Sequence, residues 1–304
     1  MGQDHSHGTG VAHRGRLALA LVLSLTVLVV EAVAAWITGS LALLADAGHV
    51  LGDSFGIVMA LAAITVSQRG GRPGSRRTFG YHRTEVIAAG LNGLVLLGLA
   101  GWVVVNAVRR LDGGPEISAG PVLAAAGIGL AANVAALLLL RGGARESLNV
   151  RGAYLEVLGD ALGSVAVLVS ALVILTTGWH AADAVASLVI AAMIVPRAVS
   201  LLREVAEVLL EGSPRDVDLE DLRRHILSAD GVIDVHDLHV WTITSGMPVM
   251  SAHVVVDDSV TRMGEAHAVL DHLRDCLADH FDVEHSTFQI EPDGHSDSEP
   301  NIHH

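Results

Sequence analysis

Inside an apolar stretch from Leu41 to Val66, LALLADAGHVLGDSFGIVMALAAITV, stand Asp46, His49 and Asp53. His49 and Asp53 are four residues apart, a spacing that stacks them on one face of a helix. A second stretch, from Ser147 to Leu175, repeats the device with Glu156 and Asp160. An ionisable group costs roughly 2.5–3.5 kcal/mol to insert into a bilayer, so it is retained where it faces a partner or a wet path. Imidazole and carboxylate are ligands for divalent cations. Two helices, each with a two-ligand face, therefore imply one four-ligand metal site formed by His49, Asp53, Glu156 and Asp160. The plainer alternative is a pair of polar contacts that only hold two helices together. It fits a lone Asp better than two matching pairs that include a His.

The elements that must position these residues are membrane spans. The chain of 304 residues is 51% hydrophobic with a mean hydropathy of +0.50, too apolar for a soluble protein of this size. Six spans are expected, at about 17–38, 41–66, 84–108, 119–140, 147–177 and 181–202. Up to Arg203 there are fourteen Arg against eleven acids; from Glu204 onward there are five Arg against twenty-two acids. The boundary near residue 204 thus divides a membrane part from an acidic, water-soluble part; no nucleic-acid partner is expected. The expected layout is a His-containing disordered tail over 1–16, a six-helix transmembrane domain over 17–203, a soluble domain over 204–292 and a second disordered tail over 293–304.

Arg69, Arg72, Arg76, Arg77 and Arg83 follow the second span, Arg141, Arg145 and Arg151 follow the fourth, and Arg14 and Arg16 precede the first. By the excess of positive charge in cytoplasmic loops, both termini face the cytoplasm, and the expected location is the cell membrane. No cleavable signal is evident. The single cysteine, Cys276, excludes an intrachain disulfide and a Cys-rich zinc cluster. Glu31, within the first span, is either a helix-packing partner or a proton-path residue, and Asp183 is expected near the outer surface with no special role.

The soluble part reads as helix 219–229, strand 232–244, strand 248–256, amphipathic helix 261–280 and strand 283–291. The order αββαβ implies a ferredoxin-like or metallochaperone-like sandwich with both helices on one side of the sheet.

Seven segments together carry a family resemblance: SLALLADAGHVLGD, FGYHRTEVIAA, SLNVRGAYLEVLGDALGS, LLEGSP, VHDLHVWTITSG, SAHVVV and HSTFQIE. The chain resembles the cation diffusion facilitators, divalent-metal/proton antiporters, over nearly its whole length. The resemblance implies efflux from the cytoplasm by alternating access, and a homodimer through the soluble domains. His49 to Asp53 has the zinc-type HxxxD pattern, whereas Glu156 stands where zinc-type members have His. For the soluble domain the resemblance implies metal ligands at His236, His253, His285 and Glu291, with His267 as a bridging candidate. His239, on the same strand as His236 and read as sharing its face, is a substitute for it. Gln289 stands where some members have His, and His82 does not fall on the ligand position of the family's loop site.

Zn²⁺ is the expected ion, transported and also bound in the soluble domain. Glu156 shifts the ligand set toward harder ions such as Mn²⁺ or Fe²⁺ without excluding Co²⁺ or Cd²⁺. Three ionised carboxylates around a divalent ion leave the loaded site about one charge negative. Without metal they cannot all stay ionised at close range, so the empty site holds at least one proton and the ligands themselves couple metal to proton. An intramembrane metalloenzyme would show HExxH, which is absent from the sequence; no enzyme is expected. A membrane-tethered sensor that never transports would need only the soluble sites.

Overall fold

The computed structural model describes residues 8–67, 76–142, 148–244, 246–260, 262–281 and 285–295. Its elements are α1 (Gly8–Thr38), α2 (Leu41–Ser67), α3 (Arg83–Leu111), α4 (Ala119–Leu140), α5 (Leu148–Thr177), α6 (Ala181–Leu209), α7 (Leu219–Leu227), β1 (Val232–Thr242), β2 (Pro248–Val256), α8 (Met263–Phe281) and β3 (His285–Pro292). Segments of α1 and α5 and the whole of α3, α4 and α6 are long and apolar enough to cross a membrane. The 27 residues of α2 give it the same reach. Large apolar side chains such as Trp36, Val29, Ile87 and Leu138 lie exposed on these helices, as residues facing lipid do. The chain is a multi-pass membrane protein with a C-terminal α+β domain.

α1 starts at Gly8, so residues 8–16 continue the first helix instead of forming the expected tail. Once a helix is nucleated each further residue costs little, and this segment has no proline. α6 likewise runs seven residues past the expected end.

The chain divides into two compact units, Met1–Leu61 with Ala88–Leu202, and Ala62–Ile87 with Arg203–His304. In the first, small residues such as Ala42, Ala45, Ala100, Ala126, Ala171 and Ala191 meet Leu43, Val103, Val122, Val167 and Ile190 in one core shared by the helices. A smaller core joins Ala20 of α1, Ala136 and Leu140 of α4, and Val150 and Val157 of α5. Small residues let helix backbones approach closely where lipid gives no hydrophobic driving force.

In the second unit β2 lies between β1, antiparallel to it, and β3, parallel to it. Leu222 and Ile226 of α7 and Val269 and Leu273 of α8 share one apolar cluster with Val235, Val240, Met250, Ala252 and Val254 of the sheet. Both helices therefore pack on one face, as the αββαβ order implies. Asp218 caps α7, accepting from the backbone N–H groups of Glu220 and Asp221.

Candidate metal centre

The start of α2 is fixed from α6. The Asp183 carboxylate accepts from Ser40 Oγ at 2.5 Å and from the backbone N–H groups of Leu41 and Ala42 at 2.7 and 3.4 Å. It caps a helix that is not its own, placing negative charge at the positive end of α2. Arg110 closes the arrangement, donating to Gly39 O at 2.8 Å with Nη1 4.0 Å from Asp183. Asp183 is thus buried and structural, not a bystander at the surface as its position near a helix start implied.

From that anchor α2 turns His49 and Asp53 toward α5. His49 Nε2 lies 3.9 Å from Asp53 Oδ2 and 3.8 Å from Asp160 Oδ1. One donor atom from each of these three residues lies within 4.8 Å of the other two. His49 and Asp160 are buried and Asp53 nearly so. Glu156, the expected fourth ligand, is drawn elsewhere. Its Oε1 accepts from Arg197 Nη2 of α6 at 2.5 Å, and Arg197 Nη1 donates to Asp53 Oδ2 at 3.1 Å. A cavity of about 670 Å³ opens on His49, Glu156 and Arg197. A second, of about 270 Å³, opens on Asp53, Glu156 and Asp160.

Beside this cluster Glu31 of α1 and Asp46 of α2 are fully buried. Ser164 Oγ donates to Asp46 Oδ2 at 3.4 Å and accepts from Asn133 at 3.3 Å. Gly129 and Gly163 leave the space the two carboxyl groups occupy; a Cβ at Gly129 would stand 2.6 Å from Glu31 Oε1.

The soluble domain holds a second cluster on the sheet face away from its helices. His236 pairs with His253 across β1 and β2, and Glu291 comes in from β3. His236 Nε2 is 3.1 Å from Glu291 Oε2, and His253 Nδ1 is 2.8 Å from Glu291 Oε1. Gln289 donates to Glu291 Oε1 at 2.7 Å. Two imidazoles and one carboxylate are a donor set that suits zinc and similar ions with an open fourth position.

A bulge sets this geometry. Three steps along β1, from His236 to His239, match two along β2, from His253 to Ser251. Asp237 absorbs the extra residue with φ of 48°. Its carboxylate lies 3.3 Å from His236 Nδ1 and 3.8 Å from His239 Nε2, the kind of outer partner that orients a ligating imidazole.

A family model of the cation efflux transmembrane domain matches residues 17–210, and one of the cation efflux protein cytoplasmic domain matches residues 214–293. The chain belongs to the cation diffusion facilitator family. It is 42% identical over 291 residues to the metal cation efflux system protein CzcD of Cupriavidus metallidurans, covering 96% of this chain and 90% of that one. It is 35% identical over 298 residues to the cadmium, cobalt and zinc/H(+)-K(+) antiporter of Bacillus subtilis, covering 97% and 94%. A solved metal-bound C-terminal domain of the CzcD transporter matches 25% of this chain and 99% of its own length, at 44% identity and a TM-score of 0.23. As a member of this transporter family, the protein is a divalent metal cation efflux transporter.

Of the residues expected at this facilitator's sites, the structure joins His49, Asp53 and Asp160 in one cluster and His236, His253 and Glu291 in another. His285 does not join the second: it pairs with Val249, six residues along β3 from Glu291, and its ring meets Phe79 at 6.4 Å. His267 sits on α8, exposed and 3.4 Å from Asp271. His239 shares the His236 face because of the bulge, but its side chain is 54% exposed and faces Asp237. It lines a cleft of about 1080 Å³ together with His82, Tyr81 and Trp241. Sequence reading missed Arg197 and the trans cap of Asp183. An Arg late in the last span reads as a flanking charge, although its place after Pro196, inside a helix, was a signal.

Proposed function

We propose that this transporter exports Zn²⁺ from the cytoplasm in exchange for protons, across the cell membrane, through His49, Asp53 and Asp160. The observation that carries this reading is the convergence of three donors from α2 and α5 within 4.8 Å. A donor atom ligates a metal only when it carries no proton, so metal and proton exclude each other at the same atoms. Protonation of the imidazole, a carboxylate or both weakens the hold on the ion, which is the antiport step.

With Glu156 held by Arg197, the remaining set is one nitrogen and two carboxylates, close to what a tetrahedral zinc site takes with one position open. Release of Glu156 would add a hard oxygen, and Co²⁺ or Cd²⁺ fits the same set. The names of the relatives favour these ions beside zinc over Mn²⁺ or Fe²⁺. Both termini face the cytoplasm, the soluble domain spans 204–292, and two copies pair through it. The His236, His253 and Glu291 cluster takes a resident divalent ion that offsets the repulsion of two acidic domains.

Purified protein in liposomes tests this. Zn²⁺ uptake should follow an imposed pH gradient in the direction of exchange and vanish in Asp53→Ala. Uptake indifferent to the gradient would reject the exchange, and normal flux in Asp53→Ala would reject the site.

A further inference from the structure

Arg197 enters the intramembrane cluster from α6, directly after Pro196, which interrupts the helix hydrogen-bond ladder. Its guanidinium bridges α2 and α5: Nη1 lies 3.1 Å from Asp53 Oδ2, and Nη2 lies 2.5 Å from Glu156 Oε1. Asp53 Oδ2 is also the atom that faces His49 Nε2 at 3.9 Å. A guanidinium and a divalent ion seated in the cluster would contend for that one oxygen. The planar fork of Arg suits this double duty, since it can hold two carboxylates at once and keep one when the other leaves.

Resting on the transport reading above, we propose that Arg197 is a tethered cation that sets how tightly the transported ion is held. It occupies Asp53 until the ion arrives, and stays on Glu156 once the ion has taken Asp53. The charge balance supports this role. Asp53, Glu156 and Asp160 bring three negative charges, while Arg197 and a divalent ion bring three positive ones. A ligating His49 is neutral, so these five side chains and the ion sum to zero. A neutral cluster can pass between the two open states without burying net charge, which is costly in a low dielectric. The deficit of one charge expected from three carboxylates alone is therefore removed by a residue on a third helix.

Glu156 and Arg197 form a unit in this account. Loss of the guanidinium leaves a negative excess that grips the ion and slows its release. Loss of the Glu156 charge leaves a positive excess that weakens binding. Loss of both restores the balance.

The test uses the full chain, with Zn²⁺ binding measured by titration in detergent and Zn²⁺ flux measured in liposomes. Arg197→Met should tighten zinc binding about 10-fold and slow turnover about 10-fold, whereas Glu156→Gln should weaken binding by a similar factor. The double variant should return both readings to within about 3-fold of the unmodified protein, by cancellation of the charges. Arg197→Gln, which removes the charge but keeps a polar end, should shift in the same direction as Arg197→Met and serves if the latter does not fold. Unchanged affinity in both Arg197 variants, or a double variant no better than the worse single one, overturns the proposal. Absence of zinc flux in the unmodified protein would instead overturn the transport reading.

Discussion

Two clusters in this chain draw on the same kinds of donor, imidazole and carboxylate, in opposite proportions, and hold them differently. In the sheet cluster Glu291 already lies 2.8 and 3.1 Å from two imidazoles, and Asp237 braces one of them. In the membrane cluster His49 stands 3.8 and 3.9 Å from its carboxylates, and a guanidinium sits on one of those. Strand neighbours fixed by a hydrogen-bonded ladder suit an ion that stays. Side chains on separate helices, one of them paired with Arg197, suit an ion that passes.

The contrast can be broken most sharply at Asp53. Asp53→Ala should lower zinc flux by more than the roughly 10–100-fold that loss of a supporting partner costs, leaving the soluble site's affinity as it was. Liposome flux beside zinc titration of the same preparation reads both. Glu291→Gln should do the reverse: zinc affinity at the soluble cluster falls by more than the roughly 10–100-fold of a supporting partner, and flux through the membrane cluster persists. Loss of both functions in either variant would show that the clusters are not separable.

Asp183→Ala sharpens the comparison from the structural side. It removes the cap that starts α2, so thermal unfolding should show a loss of about 0.5–2 kcal/mol. Zinc flux measured on the folded fraction should be weakened, not abolished. The smallest effect is expected at His239. His239→Ala should change zinc affinity by about 0.5 kcal/mol or less, as for an exposed side chain. A larger loss would place His239 among the ligands after all.

The membrane cluster was legible in part because His49, Asp53 and Asp160 break an apolar pattern at helical spacing. An ionisable residue in a lipid-embedded helix is costly and is retained where it has a partner or a wet path. Glu156 showed the same spacing, yet its partner lies on α6, and sequence spacing carries no information about which third helix approaches. Asp183 has the same cause: its partners, Ser40 and the first N–H groups of α2, are more than a hundred residues away. In the soluble domain the element order gave the αββαβ arrangement, and His236, His253 and Glu291 were legible through family likeness. The bulge was not, because Asp237 carries its positive φ without the glycine that would have signalled it.

The most direct measurement is zinc-edge anomalous scattering from the zinc-loaded full chain carrying Glu291→Gln. One peak should lie about 2.0–2.2 Å from His49 Nε2 and from carboxylate oxygens of Asp53 and Asp160, with Arg197 still on Glu156. A peak ligated by Glu156 while Asp53 remains on Arg197, or zinc bound only away from α2 and α5, would contradict the account.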